Sequence, residues 1–192
     1  MGIARKMVQR VRVNIDELLE LLARCAAREW EIFYYYTIFS PCLKDAGGVR
    51  LQNIIEKARM EDYHHFERLV SFISEMGGEF PMDFGEFPRL SVHADPPPSV
   101  WDQSDERIAL KVLIDAEKCT VQTYTNIYHL TEGKDSNANH MVSSLLEEEL
   151  KHRRELLAVL EPDARHPRGK KLERHSPSLF SCSVFNPDLR LF

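Results

Sequence analysis

Apolar residues recur at helical spacing in four stretches of this chain, separated by segments rich in Gly, Pro or polar residues. After Asn14 they fall at Leu18, Leu22, Cys25, Ala26, Ile32, Phe33, Tyr36 and Phe39, the period of an amphipathic helix. Asn14 can cap its start, with Glu17 placed as the capping-box partner. Pro41 and the Gly47-Gly48 pair are expected to end it. A second helix is predicted over residues 51–76, stopped by Gly77-Gly78 in the manner of a C-cap. Residues 79–103 carry no helical pattern and hold Pro81, Pro88 and the run Pro96-Pro97-Pro98. A loop of that length inside a compact domain needs a reason, and a crossover between two parallel helices supplies one. Ser104 can cap a third helix running to residue 131. A turn over 133–139 and a fourth helix to residue 160 complete an all-α four-helix bundle.

The pattern divides the chain into a basic N-terminal segment (1–13), the bundle (14–160) and a C-terminal tail (161–192) rich in Pro, Arg and Ser. With 192 residues and 43% hydrophobic content, the chain can bury one substantial core. A net charge of −5 gives no global attraction to nucleic acid or an anionic membrane. No apolar run approaches the roughly 20 residues needed to cross a bilayer, and residues 1–13 lack the apolar core of a signal peptide. Cys25, Cys42, Cys119 and Cys182 are spaced like neither a zinc cluster nor a secreted disulfide framework. The expected setting is the cytoplasm.

Candidate chemistry lies in two carboxylate–x–x–histidine pairs. One is within Glu61-Asp62-Tyr63-His64-His65, and the other is Glu149-Leu150-Lys151-His152. Residues three apart share a helix face, so each pair can aim an oxygen and a nitrogen at one point. Helical phase places Asp62 and His65 on the stripe of Ile55, Ala58, Leu69 and Met76. Glu61 and His64 would bring Lys57 and Arg68 inward, and stand as the alternative pair. By the same criterion Glu29 aligns with Leu22, Cys25, Ala26, Ile32 and Tyr36, while Glu31 shares a face with Arg24 and Arg28 and is expected in solvent. Glu117 aligns with Leu110, Leu113, Ile114 and Tyr124, and Glu149 and His152 with Val142, Leu145, Leu156 and Val159. The spacings 62 − 29 = 33 and 149 − 117 = 32 suggest an internal pseudo-repeat. Glu61 fits the spacing equally well (61 − 29 = 32), so spacing does not choose.

A single Glu-x-x-His is usually a surface accident, and the run Glu147-Glu148-Glu149 would ordinarily be a wet face. Six candidates on the apolar stripes of four helices are a different matter. Four uncompensated buried carboxylates repel one another, and two divalent cations would neutralise them. Oxygen-rich ligation suits iron or manganese. His93, His129, His140, His166 and His175 lack a carboxylate partner at ligand spacing and are assigned to the surface.

The pieces Glu29-Trp30 with the tyrosine run to Tyr36, the stretch from Glu61 to Leu69, Met76-Gly77-Gly78, Ala116-Glu117-Lys118-Cys119 and residues 146–152 together resemble the ferritin-like superfamily. Within it the chain is most similar to the Dps-like, or thioferritin, subgroup with a bacterioferritin-like centre. The resemblance implies a hollow homo-oligomer of twelve subunits that oxidises Fe(II), with hydrogen peroxide favoured over oxygen, and stores the mineral, protecting against oxidative stress. It implies two iron ions per subunit held by Glu29, Asp62, His65, Glu117, Glu149 and His152, with Asp62 and Glu149 bridging. Asp62 stands where bacterioferritins carry Glu, and the crossover has no cysteine to pair with Cys119, which is given no thiol role. Tyr36, one heptad from Glu29, can hydrogen-bond a ligand. Rival functions on the same bundle are a manganese catalase or rubrerythrin-like peroxidase, and a non-enzymatic DNA-binding shell. Arg5, Lys6, Arg10 and Arg12 could touch DNA phosphates, though the net charge disfavours it. The apolar end Leu189-Arg190-Leu191-Phe192 could dock on another protein.

Overall fold

A computed structural model describes residues 13–46, 48–91 and 106–161. Residues 1–12 of the basic segment, Ser104, the Pro96-Pro97-Pro98 run and the tail beyond Glu161 lie outside these residues. Helix α1 (Ile15–Ala46) and helix α2 (Gly48–Glu75) form one hairpin. A 3-10 turn (Phe84–Glu86) leads into a single-turn α3 (Phe87–Leu90), and α4 (Glu106–Thr131) with α5 (Ser136–Leu160) forms a second hairpin.

Side-chain pairings fix the directions. Trp30 packs on Phe66 and Phe33 on Tyr63, so α1 and α2 are antiparallel. Glu29 meets Tyr124 and Tyr36 meets Glu117, so α1 and α4 are antiparallel too. Helices α2 and α4 therefore run parallel, and the chain joining them must return along the length of the bundle. The crossover follows from that geometry.

Two apolar layers fill the interior. One gathers Leu18, Leu22, Leu69, Ile73, Ile127 and Leu145, and the other Ile32, Phe39, Leu43, Ile55, Leu113 and Leu156. On each long helix the change from one layer to the other brackets a carboxylate, at Glu29, Asp62, Glu117 and Glu149. The apolar layers thus enclose a polar one.

Four boundaries differ from the sequence expectation, the first being α2, which starts at Gly48 rather than at residue 51. Helix α1 continues through Pro41 to Ala46. Proline removes one amide donor and its ring crowds the preceding turn, but the carbonyl that loses its partner belongs to exposed Thr37, where water can substitute. Leu43 beyond it is fully buried, so packing holds the continuation. The crossover also contains helical structure at Phe84–Leu90, where Asp83 accepts from the Gly85 amide at 2.8 Å and Pro88 occupies the first turn. Finally, α5 starts at Ser136 inside the expected turn, because Asp135 accepts from the amides of Asn137 (3.0 Å) and Ala138 (3.1 Å). The predicted ends at Asn14 and Gly77 agree with the structure. The Asn14 side chain accepts from Glu17 N. Gly77, at φ 77°, and Gly78 donate to Ser74 and Ile73, the paired bonds of a Schellman motif. No helix among the described residues is long and apolar enough to cross a membrane.

Asp135→Ala removes both cap bonds and is expected to cost about 1 kcal/mol, read as a lower denaturant midpoint with unchanged helical content. An unchanged midpoint would show that Asp135 does not hold the start of α5.

Candidate metal centre

All six predicted side chains meet in the polar layer. Glu29, Asp62, Glu117 and Glu149 are 0% exposed, and His65 and His152 are 1% exposed. They form two four-residue groups, Glu29–Asp62–His65–Glu149 and Asp62–Glu117–Glu149–His152, each with one candidate ligand atom per residue and all such atoms within 4.8 Å of one another. Asp62 and Glu149 belong to both groups. The alternative pair does not enter them: His64 is exposed, and the Glu61 side chain is 27% exposed at the rim. Phase rather than spacing therefore matches the placement.

Helix geometry explains the convergence. His65 and His152 stand one turn after Asp62 and Glu149, so each helix lifts a carboxylate and an imidazole onto the same face. The rings stack 6.1 Å apart at 17°. His65 Nδ1 lies 2.7 Å from Glu149 Oε1 and 3.5 Å from Glu29 Oε2. His152 Nδ1 lies 3.5 Å from Asp62 Oδ1 and 3.8 Å from Glu117 Oε1. Although close, these atoms are not aligned for hydrogen bonding. Glu29 Oε2, both Asp62 oxygens, His65 Nδ1, Glu117 Oε2, both Glu149 oxygens and His152 Nδ1 are buried without a hydrogen-bond partner. Orphaned donor atoms facing common points are what metal ligands require, and the donor set fits two cations that favour oxygen and imidazole.

The rest of the polar layer is satisfied across the bundle. Tyr36 Oη donates to Glu117 Oε1 at 2.5 Å, and Tyr124 Oη donates to Glu29 Oε1. Glu61 Oε2 sits 2.5 Å from His152 Nε2, and Glu148 Oε2 sits 3.0 Å from His65 Nε2. Helical phase in the sequence points to a hydrogen-bonding Tyr36 but only to core packing for Tyr124, and it gives Glu61 and Glu148 no role in this arrangement. The signal for Tyr124 was available, since 124 − 117 and 36 − 29 are both 7. In sequence each glutamate directly precedes a ligand carboxylate, but the partner it meets depends on how α2 and α5 register.

Proton affinities follow from this crowding. Burial, then the charge of Glu117, pushes Asp62 up to about 8. Burial and Glu29 push Glu149 up to about 7, and burial with Glu149 raises Glu117 well above the carboxylate range. Burial alone would lower both histidines. At His152 it is outweighed by Asp62 and Glu117, which bring the imidazole to about 9. At His65, Glu29, Glu148 and Glu149 outweigh it and raise the imidazole. The His65 hydrogen bond holds Glu148 down at about 2.

Three neighbouring expectations change. Glu31, expected in solvent, is half-buried and accepts from Arg28 at 2.8 Å, while Arg28 on the same face is buried and also donates to the Ala116 carbonyl at 3.3 Å, because that face of α1 lies against α4. Cys119, expected to make only a packing contact, is disulfide-bonded, so its sulfur is part of a covalent cross-link. Cys25 is a free buried thiol, and Cys42 and Cys182 lie outside the described side chains. His129 does have a carboxylate at ligand spacing, Glu132 at 3.8 Å, but both are well exposed. His140 is exposed as expected, and His93, His166 and His175 lie outside the described residues.

Two antiparallel hairpins closed over paired carboxylate–histidine groups define a four-helix-bundle carboxylate protein. The sequence profile of the ferritin-like domain matches residues 19–165. The chain belongs to the ferritin-like family. A DNA protection during starvation protein of Pyrococcus furiosus is 38% identical over 178 residues, which cover 92% of this chain and 95% of that protein. The dodecameric thioferritin of Bacteroides fragilis, a bacterioferritin-related protein, superposes with a TM-score of 0.75 at 24% identity, covering 84% of this chain and 94% of its own. The bacterioferritin of Rhodobacter capsulatus superposes with a TM-score of 0.62 at 16% identity, covering 78% and 87%. These two likenesses establish the fold.

Asp62, Glu117, Glu149, His65 and His152 all bind protons more tightly in the folded chain than in the unfolded one. Their contribution is fully present below the unfolded values and is lost as pH rises through the folded ones. Glu148 acts in the opposite sense, but only in acid below its ordinary range. Chelator-treated protein is therefore expected to lose thermal stability from about pH 5 to about pH 9, and saturating Co(II), which needs deprotonated ligands, to reverse the trend. A melting temperature that rises with pH in the chelated protein would contradict this account.

Proposed function

We propose that this protein is a ferroxidase that oxidises Fe(II), with hydrogen peroxide as the favoured oxidant, and stores the product inside a hollow oligomer of twelve subunits in the cytoplasm. The observation that carries the proposal is the pair of ligand groups sharing Asp62 and Glu149, lined by orphaned buried donor atoms. The 38% identity to a protein named for DNA protection during starvation supports the same reading, as does the likeness to a dodecameric thioferritin.

In this reading the two shared carboxylates, Asp62 and Glu149, would help to hold both iron ions. Glu29 with His65 serves one ion, and Glu117 with His152 serves the other. A pair of irons supplies two electrons together, so that two Fe(II), one hydrogen peroxide and two protons give two Fe(III) and two water molecules. The protein's part is to hold the ions and manage charge. Four ionised carboxylates balance two divalent cations, and anionic oxygen ligands favour the ferric state. Tyr36 and Tyr124 each hold one oxygen of a terminal carboxylate, leaving the other free to ligate. Protons carried by the buried carboxyls and imidazoles leave when metal binds. Asp62 belongs to both ligand groups despite being one methylene shorter than Glu, which supports its bridging role.

Glu29→Ala and His152→Ala are expected to bring Fe(II) oxidation close to the uncatalysed rate while leaving helical content and oligomer size intact. Stopped-flow oxidation after anaerobic Fe(II) loading, with peroxide and oxygen added in turn, checks this. Wild-type rates in both variants would reject the assignment. Oxygen release from peroxide with Mn(II), and no retained iron, would instead establish the catalase alternative.

A further inference from the structure

Cys119 takes part in a disulfide, and its partner follows by elimination. The chain has four cysteines, of which Cys25 is a free buried thiol. Cys42 belongs to α1, and the register of α1 against α4 sets its distance. Tyr36 meets Glu117, so these two residues stand at neighbouring levels in antiparallel helices. Cys42 lies six residues beyond Tyr36 in one direction, and Cys119 lies two residues beyond Glu117 in the other. Eight residues of helical rise put about 12 Å between them along the axis. The contact of Arg28 with the Ala116 carbonyl sets Cys119 nearer the start of α1 and widens that gap. A disulfide requires Cα atoms within about 7 Å of each other, so Cys42 is out of reach. Cys182 remains.

The chain can deliver Cys182 to this place. Helices α4 and α5 are antiparallel about the turn between Thr131 and Ser136. Cys119 is 131 − 119 = 12 residues from that turn, and Glu161 is 161 − 136 = 25 residues from it. The end of α5 therefore overshoots Cys119 by about 20 Å. Residues 162–181 can span about 65 Å when extended, enough to return and to pass around a helix. The sequence beside Cys182 is apolar, with Leu179-Phe180 before it and Val184-Phe185 after it. Cys119 is half-buried and packs against the apolar layer of Ile32, Phe39 and Leu113. Ile108, Lys111 and Asp115 continue the same stripe of α4 toward its start, and none of them is free.

We propose that this stripe of α4 is the docking surface of the chain's own segment 179–185, sealed by a Cys119–Cys182 disulfide. Forming the bond takes one hydrogen from each thiol, and hydrogen peroxide accepts the two electrons and two protons to become two water molecules. A small dithiol reverses the step: its own sulfurs join, Cys119 and Cys182 regain their protons, and the segment is released.

Peptide mapping of the full-length protein, treated with hydrogen peroxide and alkylated in denaturant without reduction, tests the linkage. The expected product is one cross-linked pair carrying Cys119 and Cys182, with Cys25 and Cys42 alkylated. The chain should also run as a monomer in a non-reducing denaturing gel. Cys119 linked to Cys25, to Cys42 or to a second chain, or recovered as a free thiol, would overturn the proposal. Hydrogen exchange on the intact assembly tests the docking. Residues 179–185 should be protected in oxidised protein, and should lose that protection with the dithiol or in Cys182→Ser. Equal exchange in all three would show that no docking surface exists. Mapping and reduction both use the unaltered sequence, so the test stands even if the variant does not fold.

Discussion

A layer of four carboxylates and two imidazoles, sealed between two apolar layers, is the constraint on which this structure depends. Burying ionisable groups costs several kcal/mol each unless partners compensate. Compensation here is partial and selective. Tyr36 and Tyr124 satisfy one oxygen each on Glu117 and Glu29, and Glu61 and Glu148 satisfy the outer nitrogens of the histidines. The atoms left without partners all point inward, at two neighbouring centres. A sequence selected only for stability would place leucine or alanine there. Retaining the charges is reasonable if something cationic is meant to occupy the space between them.

The compensation is also reciprocal. Glu29 depends on a tyrosine of α4, and Glu117 on a tyrosine of α1. His65 depends on a glutamate of α5, and His152 on a glutamate of α2. The ligand positions repeat at 117 − 29 = 88 and 149 − 62 = 87, so the two hairpins carry near-equivalent halves. Neither hairpin alone can satisfy its own polar layer. Assembling both in the antiparallel pairing observed makes α2 and α4 parallel, and so demands the crossover. The crossover is braced by aromatic contacts, Phe84 on Trp30 and Phe87 on Phe66 and Phe80. Its short helical segment packs against the outside of the first hairpin.

Most of the fold was legible in the sequence because amphipathic period, capping residues and glycine stops are local signals. Asn14, Gly77 and the four apolar stripes each state their role within a few residues. Local signals misled where tertiary packing outweighed them. Pro41 reads as a terminator, yet Leu43 has a buried place two residues further on. Glu31 reads as solvated, yet its face of α1 is partly covered by α4, where Arg28 bridges Glu31 and the Ala116 carbonyl. A stripe describes one helix, and cannot say how much of the opposite face a neighbour will cover.

The centre divides the same way. That Glu29, Asp62, Glu117, Glu149 and the two histidines would sit among apolar neighbours is a matter of residue type and helical phase, which the sequence by itself determined. It could not state that Asp62 and Glu149 would be common to both groups, that Tyr124 would close on Glu29, or that Glu61 and Glu148 would grip the histidines from the rim. Those facts depend on the register and spacing between helices far apart in the chain, quantities that exist only once the whole bundle has packed.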